Sequence, residues 1–120
     1  MDLKQYLQEL KKVVNIDCGT ATIDGVEEVS RIIQHWYQDE NWQCDRVSLG
    51  EKVGPGLFAT NKPNADRYDV LLVGHIDTVF PVGTVAERPF RIEGNRAYGP
   101  GVSDMKSGLL NILWALREMD

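Results

Sequence analysis

Four consecutive aliphatic residues, Val70-Leu71-Leu72-Val73, follow Asp69 and run straight into Gly74-His75-Ile76-Asp77-Thr78. No other stretch constrains the chain more. Apolar on successive rather than alternate positions, the run fits a central strand covered on both faces, which needs neighbours on each side. Neither this run nor Ile112–Leu116, the longest apolar run in the chain, approaches the roughly 20 residues that cross a bilayer. No membrane partner is expected.

The flanking sequence supplies candidates for the covering layers. Leu3, Tyr6, Leu7, Leu10, Val13 and Val14 fall at helical spacing, with Lys4, Gln8, Lys11 and Lys12 between them. This predicts one amphipathic helix over the first fourteen residues. Asn15 to Gly25 is polar and turn-rich. Asp24 followed by Glu27 reads as a capping box, and Val26, Val29, Ile33, Trp36 and Tyr37 extend a second helix to about Gln38. Cys44 to Leu49 and Leu57 to Thr60 have strand character and a connection short enough for an antiparallel pair. Asn61 to Arg67 reads as a surface loop. Phe90 to Glu93 and Arg96 to Tyr98, joined by Gly94-Asn95, predict a small hairpin. From Met105, the residues Leu109, Leu110, Leu113, Trp114 and Leu116 predict a third helix. That order suits a three-layer α/β domain with a mixed sheet. The chain holds few strands to flank the central one, so the domain is expected to be incomplete here.

Charge and cysteine content narrow the function classes. Thirteen Lys and Arg against eighteen Asp and Glu leave a net −5 in 120 residues, the wrong sign for replacing counterions on a phosphate backbone, so no nucleic-acid partner is expected. The N-terminal residues lack the apolar block of a secretory signal. Cys18 and Cys44 make neither a C-x-x-C nor a disulfide framework. A cytoplasmic protein is expected.

Two clusters carry candidate chemistry. His75 and Asp77 stand two residues apart at the C-terminal end of the apolar run, the edge where open α/β sheets usually bind ligands. Along extended chain they share a side. Asp77 can then fix the tautomer of His75 and leave one ring nitrogen as an acceptor, as for a metal-bound histidine. The plainer alternative is a strand-end histidine beside a solvated carboxylate. The second cluster is Tyr98-Gly99-Pro100-Gly101-Val102-Ser103-Asp104-Met105-Lys106-Ser107-Gly108. Its turn leads into the third helix and places Asp104 at the helix start, where an ionised carboxylate is favoured. The plainer alternative there is an N-cap formed by Ser103 or Asp104. A phosphate loop aligned on Lys106-Ser107 fails at Pro100 and Met105, and a nucleophile elbow on Ser103 lacks its second glycine. A triad of His75, Asp77 and Ser103 is a remote option. His35 reads as a surface or boundary residue, and Trp36, Trp42 and Trp114 as core or core-edge residues.

Taken together, Gly74-His75-Ile76-Asp77-Thr78-Val79-Phe80-Pro81, Pro89-Phe90-Arg91-Ile92-Glu93-Gly94 and the Tyr98–Gly108 segment resemble the co-catalytic zinc metallopeptidases and deacylases. That family includes acetylornithine deacetylase, succinyl-diaminopimelate desuccinylase and aminoacylase, and the resemblance is greatest to its carboxypeptidase G (glutamate carboxypeptidase) branch. Asn15-Ile16-Asp17-Cys18-Gly19-Thr20 resembles the branch's early loop, with Cys18 where a serine is commoner. The resemblance implies that His75 and Asp104 are zinc ligands, Asp104 bridging two zincs, that Asp77 is the catalytic residue orienting His75, and that the Asp104–Met105 peptide is cis. Cobalt or manganese also suits such ligands. It implies hydrolysis of a small peptide or an N-acyl amino-acid amide. The general base of that family lies in a downstream Glu-Glu pair, whereas after Asp104 this sequence holds only Glu118 and Asp120 as acids. Glu27-Glu28 matches no family motif. Residues 1–120 are therefore expected to be the N-terminal portion of the catalytic domain, inactive alone and without the lid and dimerisation domain. A competing expectation is a non-catalytic folding or interaction module with a vestigial metal site, self-associating through an exposed sheet edge.

Overall fold

The computed structural model describes residues 1–119. Helix α1, Leu3–Val14, starts where the Asp2 carboxylate accepts from the Gln5 backbone N–H at 3.2 Å, and Lys11 and Lys12 occupy its last turn. Both ends therefore carry the charge that suits the helix dipole. Its apolar stripe sets Leu10, Val13 and Val14 in the core. Helix α2, Ile23–Asp39, buries Val26, Val29 and Ile33 in the same cluster. The expected capping box is not formed: the N-cap is Thr22, and Asp24 lies inside the first turn.

Strands β1, Gln43–Val47, and β2, Gly56–Thr60, pair antiparallel with Cys44 opposite Ala59, and lie against α2. A short helix absent from the sequence reading, α3, covers Thr84–Glu87. Strands β3, Arg91–Glu93, and β4, Arg96–Tyr98, form the expected hairpin. Helix α4, Ser107–Arg117, packs on α1 through buried Leu110, Leu113 and Trp114. Arg117 grips Glu9 of α1 with two bonds of 2.8 and 3.0 Å, and the Trp114 indole donates to the same carboxylate at 3.0 Å. His35 is exposed, whereas Trp36 and Trp42 are half-buried and Trp114 is buried, as expected of core-edge and core residues.

The molecule is thus a mixture of helices and two small antiparallel sheets, a partial α/β arrangement. Among the described residues no sheet has more than two strands. The expected central strand differs from its reading. Val70, Leu71, Leu72 and Val73 join no ladder and are 72%, 73%, 54% and 77% exposed. The reason is pairing. A strand cannot satisfy its own backbone, and β1 pairs with β2 and β3 with β4, which leaves this run without a neighbour. Beside it an apolar cavity of about 490 Å³, lined by Ile33, Tyr37, Leu57, Leu71, Leu109 and Leu116 among others, separates α2 and β2 from α4. The molecule measures 46 × 38 × 20 Å with a radius of gyration of 14.7 Å, larger than the roughly 13.6 Å of a closed domain of this length.

The loop between α1 and α2 ties the outlying segments to the core. Asn15 Oδ1 accepts from the Phe90 N–H at 2.8 Å, and the two Asp17 oxygens accept from Gly83 and Val85 at 3.0 Å each. Gly19 and Thr78 then form an isolated parallel bridge.

Candidate functional site

Two elements converge at the end of the apolar run. A β-carbon on Gly74 would meet Leu109 Cδ2 at 2.8 Å and Met105 Cε at 3.0 Å, so the segment lies close against the start of α4. The next residue, His75, donates its backbone N–H to Met105 Sδ at 3.3 Å. On the other side, Gly101 at φ +75° turns the chain into a wide π-type turn, in which Lys106 and Ser107 donate back to the carbonyls of Gly101 and Val102. Such turns recur at functional sites. The Asp104–Met105 peptide is cis, as the resemblance implied.

Buried beneath this turn is Lys106, 1% exposed. Its ammonium donates to the Val13 carbonyl at 3.1 Å and to Cys18 Sγ at 2.8 Å. The carbonyl belongs to the last turn of α1, whose free acceptors and dipole favour a cation. Lys106 thereby clamps the turn to α1 and to the early loop. A single lysine in the Tyr98–Gly108 segment gave no sign of this role in the sequence.

The clamp leaves Asp104 outside the helix, with φ −124° and ψ 95° and a side chain 86% exposed. It is not an N-cap, and neither is Ser103: α4 has no side-chain cap bond. Asp104 faces His75 instead, with Oδ1 2.9 Å from Nε2. The other ring nitrogen, Nδ1, lies 2.9 Å from the Asp77 backbone carbonyl and 3.3 Å from Asp77 Oδ1. Asp77 Oδ2 in turn accepts from Thr20 Oγ1 at 2.5 Å. His75, Asp77 and Asp104, separated by up to 29 residues in sequence, are therefore brought together, and Thr20 joins them from the early loop. Only its place in the N-I-D-C-G-T segment pointed to it.

The electrostatics follow from these contacts. Both ring nitrogens of His75 face acceptors. The hydrogen bond that His75 donates to Asp104 is the main cause that raises its pKa above 6.5, partial burial works against it, and the Asp77 carbonyl and the charges of both acids add to the rise. A cation is wanted between Nε2 and Asp104 Oδ1, and a proton fills that need in the absence of metal. The donor chemistry also fits zinc. A tetrahedral ion bound at about 2.0–2.1 Å spaces two donors roughly 3.3 Å apart, which two exposed side chains now at 2.9 Å reach by a small widening. No group of three or more metal-ligating side chains occurs among the described residues. His75 and Asp104 by themselves bring two donors together.

A cleft of about 300 Å³ opens over the pair, floored by Thr20, Asp77 and Thr78 and walled by Val79, Phe80, Val102 and Ser103. Ser103 makes no hydrogen bond to His75, whose ring nitrogens both face the two acids, so no serine triad is assembled. Glu27 is held by Arg31 at 2.9 Å on α2 and does not line the cleft. Cys18 is buried and Cys44 half-buried, and both are free thiols.

Comparison with known proteins bears on the same segment. The sequence profile of Peptidase family M20/M25/M40 matches residues 71–120, the stretch that holds His75, Asp77 and Asp104. The chain is also similar to carboxypeptidase G2 of Pseudomonas sp. (strain RS-16), with 34% identity over 112 residues. That match covers 92% of this chain and 27% of the relative, so the chain spans about a quarter of the length of the curated relative it matches. No described helix is long and apolar enough to cross a membrane.

Proposed function

We propose, from the premise that the chain belongs to peptidase family M20/M25/M40, that it carries the N-terminal portion of a zinc-dependent, carboxypeptidase G-like catalytic domain. Its whole protein hydrolyses a small peptide or an N-acyl amino-acid amide. The observation that carries this reading is the 2.9 Å approach of His75 Nε2 to Asp104 Oδ1 inside the segment that matches the family profile. The fold in this reading is a three-layer mixed-sheet zinc-exopeptidase domain, of which residues 1–120 supply the first helices and hairpins. The lid and dimerisation domain lies outside them.

Zinc, when bound, supplies a Lewis acid that polarises the amide carbonyl and lowers the pKa of a bound water. The chain's own residues do the following. The Asp77 carbonyl can only accept, so it holds the His75 proton on Nδ1 and leaves Nε2 as the ligand atom. The Asp77 carboxylate adds a second acceptor 3.3 Å from Nδ1 and raises the basicity of the ring. Asp104 offers two oxygens on an exposed side chain, enough to serve two cations. Phe80 and Val102 give one part of the cleft an apolar lining. Catalytic zinc ordinarily takes three protein ligands, and His75 and Asp104 are two, so the 120-residue chain by itself is inactive.

Metal analysis tests the assignment. Chain dialysed against zinc should retain it, and His75→Ala and Asp104→Ala should each lose it. Retention by both variants refutes the ligand pair. Release of an amino acid by the isolated chain, dependent on zinc, refutes its inactivity.

The exposed row Val70–Val73 favours a second property, self-association through unpaired backbone. Sedimentation at rising concentration should show dimers or larger species, and a monomer throughout contradicts it. A cytoplasmic location, in keeping with two unpaired thiols, belongs to the same reading.

A further inference from the structure

Thr20 stands in none of the motifs that carry the metal chemistry, yet its hydroxyl is 2.5 Å from Asp77 Oδ2. We propose that Thr20 is a positioning residue for His75, acting through Asp77; the proposal rests on the zinc-ligand reading of His75 given above. Three observations carry it.

The first is the order of contacts. Thr20 Oγ1 donates to Asp77 Oδ2, the opposite oxygen Oδ1 faces His75 Nδ1 at 3.3 Å, and His75 Nε2 faces Asp104 at 2.9 Å. A carboxylate rotates freely about its last bond unless one oxygen is tied. The hydroxyl ties Oδ2, which leaves Oδ1 turned toward the ring.

The second is how firmly Thr20 is held. Its backbone N–H donates to the Thr78 carbonyl at 3.1 Å, the Thr78 N–H donates to Cys18 at 2.8 Å, and Thr22 donates to Gly19 at 2.8 Å. A β-carbon on Gly19 would strike the Phe80 carbonyl, so the loop lies directly on the segment that carries Asp77. The hydroxyl is therefore presented by two fixed strands of chain rather than by a mobile loop tip.

The third is the division of labour in the loop. Asn15 and Asp17 spend their side chains on Phe90, Gly83 and Val85 and are remote from the acids of the site in hydrogen-bond terms. Thr20 alone in this loop bonds one of them. Its hydroxyl has one proton, and the alternative acceptor, the Thr78 carbonyl, is at 3.5 Å. The much shorter contact takes it.

Two variants separate positioning from mere stability. Thr20→Val keeps the shape and removes the hydroxyl, and Thr20→Ser restores it. Zinc titration by calorimetry, with zinc chloride as the probe, should show Thr20→Val binding about tenfold more weakly, the low end of what partners of a metal ligand contribute. Thr20→Ser should lie within about twofold of wild type, with unchanged thermal melts for both. A second readout needs no metal. Nitrogen-15 NMR of the neutral imidazole should show a larger share of the Nδ1–H tautomer in wild type than in Thr20→Val; with only two histidines in the chain, His75→Ala assigns the signal. Thr20→Val with wild-type zinc binding and an unchanged tautomer overturns the proposal. So does equal loss in Thr20→Ser together with a lowered melting temperature, which marks a structural role. If His75→Ala binds zinc as wild type does, the ligand reading fails instead, and the tautomer measurement still decides on Thr20.

Discussion

Leu10, Val13 and Val14 on one side and Val70–Val73 on the other offer similar aliphatic side chains and meet opposite fates. Val13 and Val14 are 0% and 1% exposed, whereas Val70 and Val73 are 72% and 77% exposed. Hydrophobicity does not distinguish them; backbone accounting does. Helix α1 satisfies its own N–H and C=O groups and needs only one partner face, which α4 provides. The run at 70–73 needs strands on either side before its side chains can be covered. The part of the molecule built on helices and on the early loop finds its partners within the described residues. The run at 70–73 finds no such partner among the described residues, and the candidate site sits on the boundary between the two regions.

Four substitutions sharpen or break that contrast. Leu110→Ala removes a side chain 1% exposed between α1 and α4 and should destabilise by about 2–5 kcal/mol in a chemical denaturation curve. A loss below about 1 kcal/mol would mean that this face is not a packed core. Glu9→Ala should cost about 1–3 kcal/mol, because it leaves the Trp114 indole without the carboxylate it shares with Arg117, while Arg117 keeps Glu40 at 3.3 Å.

Asp104→Asn acts on the site rather than the core. It removes the main cause of the raised His75 pKa, so the NMR titration midpoint should move down toward 6.5. The sign for stability follows from linkage. A raised pKa in the folded chain means that protonated His75 stabilises below its unfolded value, near 6.5, and that this contribution disappears as the pH rises through the higher folded value. At a half-exposed histidine the effect is small. Unchanged titration in Asp104→Asn contradicts the observed contact. Smallest of all, Leu71→Ser should leave the denaturation midpoint of the isolated chain within about 0.5 kcal/mol of wild type, while reducing self-association in sedimentation. A large loss would show that the run is packed after all.

The same contrast explains what the sequence disclosed. The periodic stripes of α1, α2 and α4 and the two hairpins rest on neighbours within a few residues, and they occur close to where periodicity and turn residues placed them. The meeting of His75 with Asp104 was legible because glycines flank both segments and because the two motifs resemble one family together. Exposure of Val70–Val73 was not legible, since an apolar run declares what it wants to bury against and not whether that partner is present. Lys106 and Thr20 were missed for a related reason. Their roles depend on α1 and the early loop, some 60 to 90 residues away, and no local pattern marks a residue for a partner at that distance. The short α3 depends likewise on Asp17, whose carboxylate receives Val85 in its first turn.

X-ray absorption at the zinc edge, on the chain loaded with one equivalent of zinc, tests the shared-cation geometry most directly. The account predicts imidazole scattering from one histidine with light-atom ligands at about 2.0–2.1 Å, and its loss in His75→Ala. A sulfur shell near 2.3 Å or an imidazole signal that survives His75→Ala would contradict it.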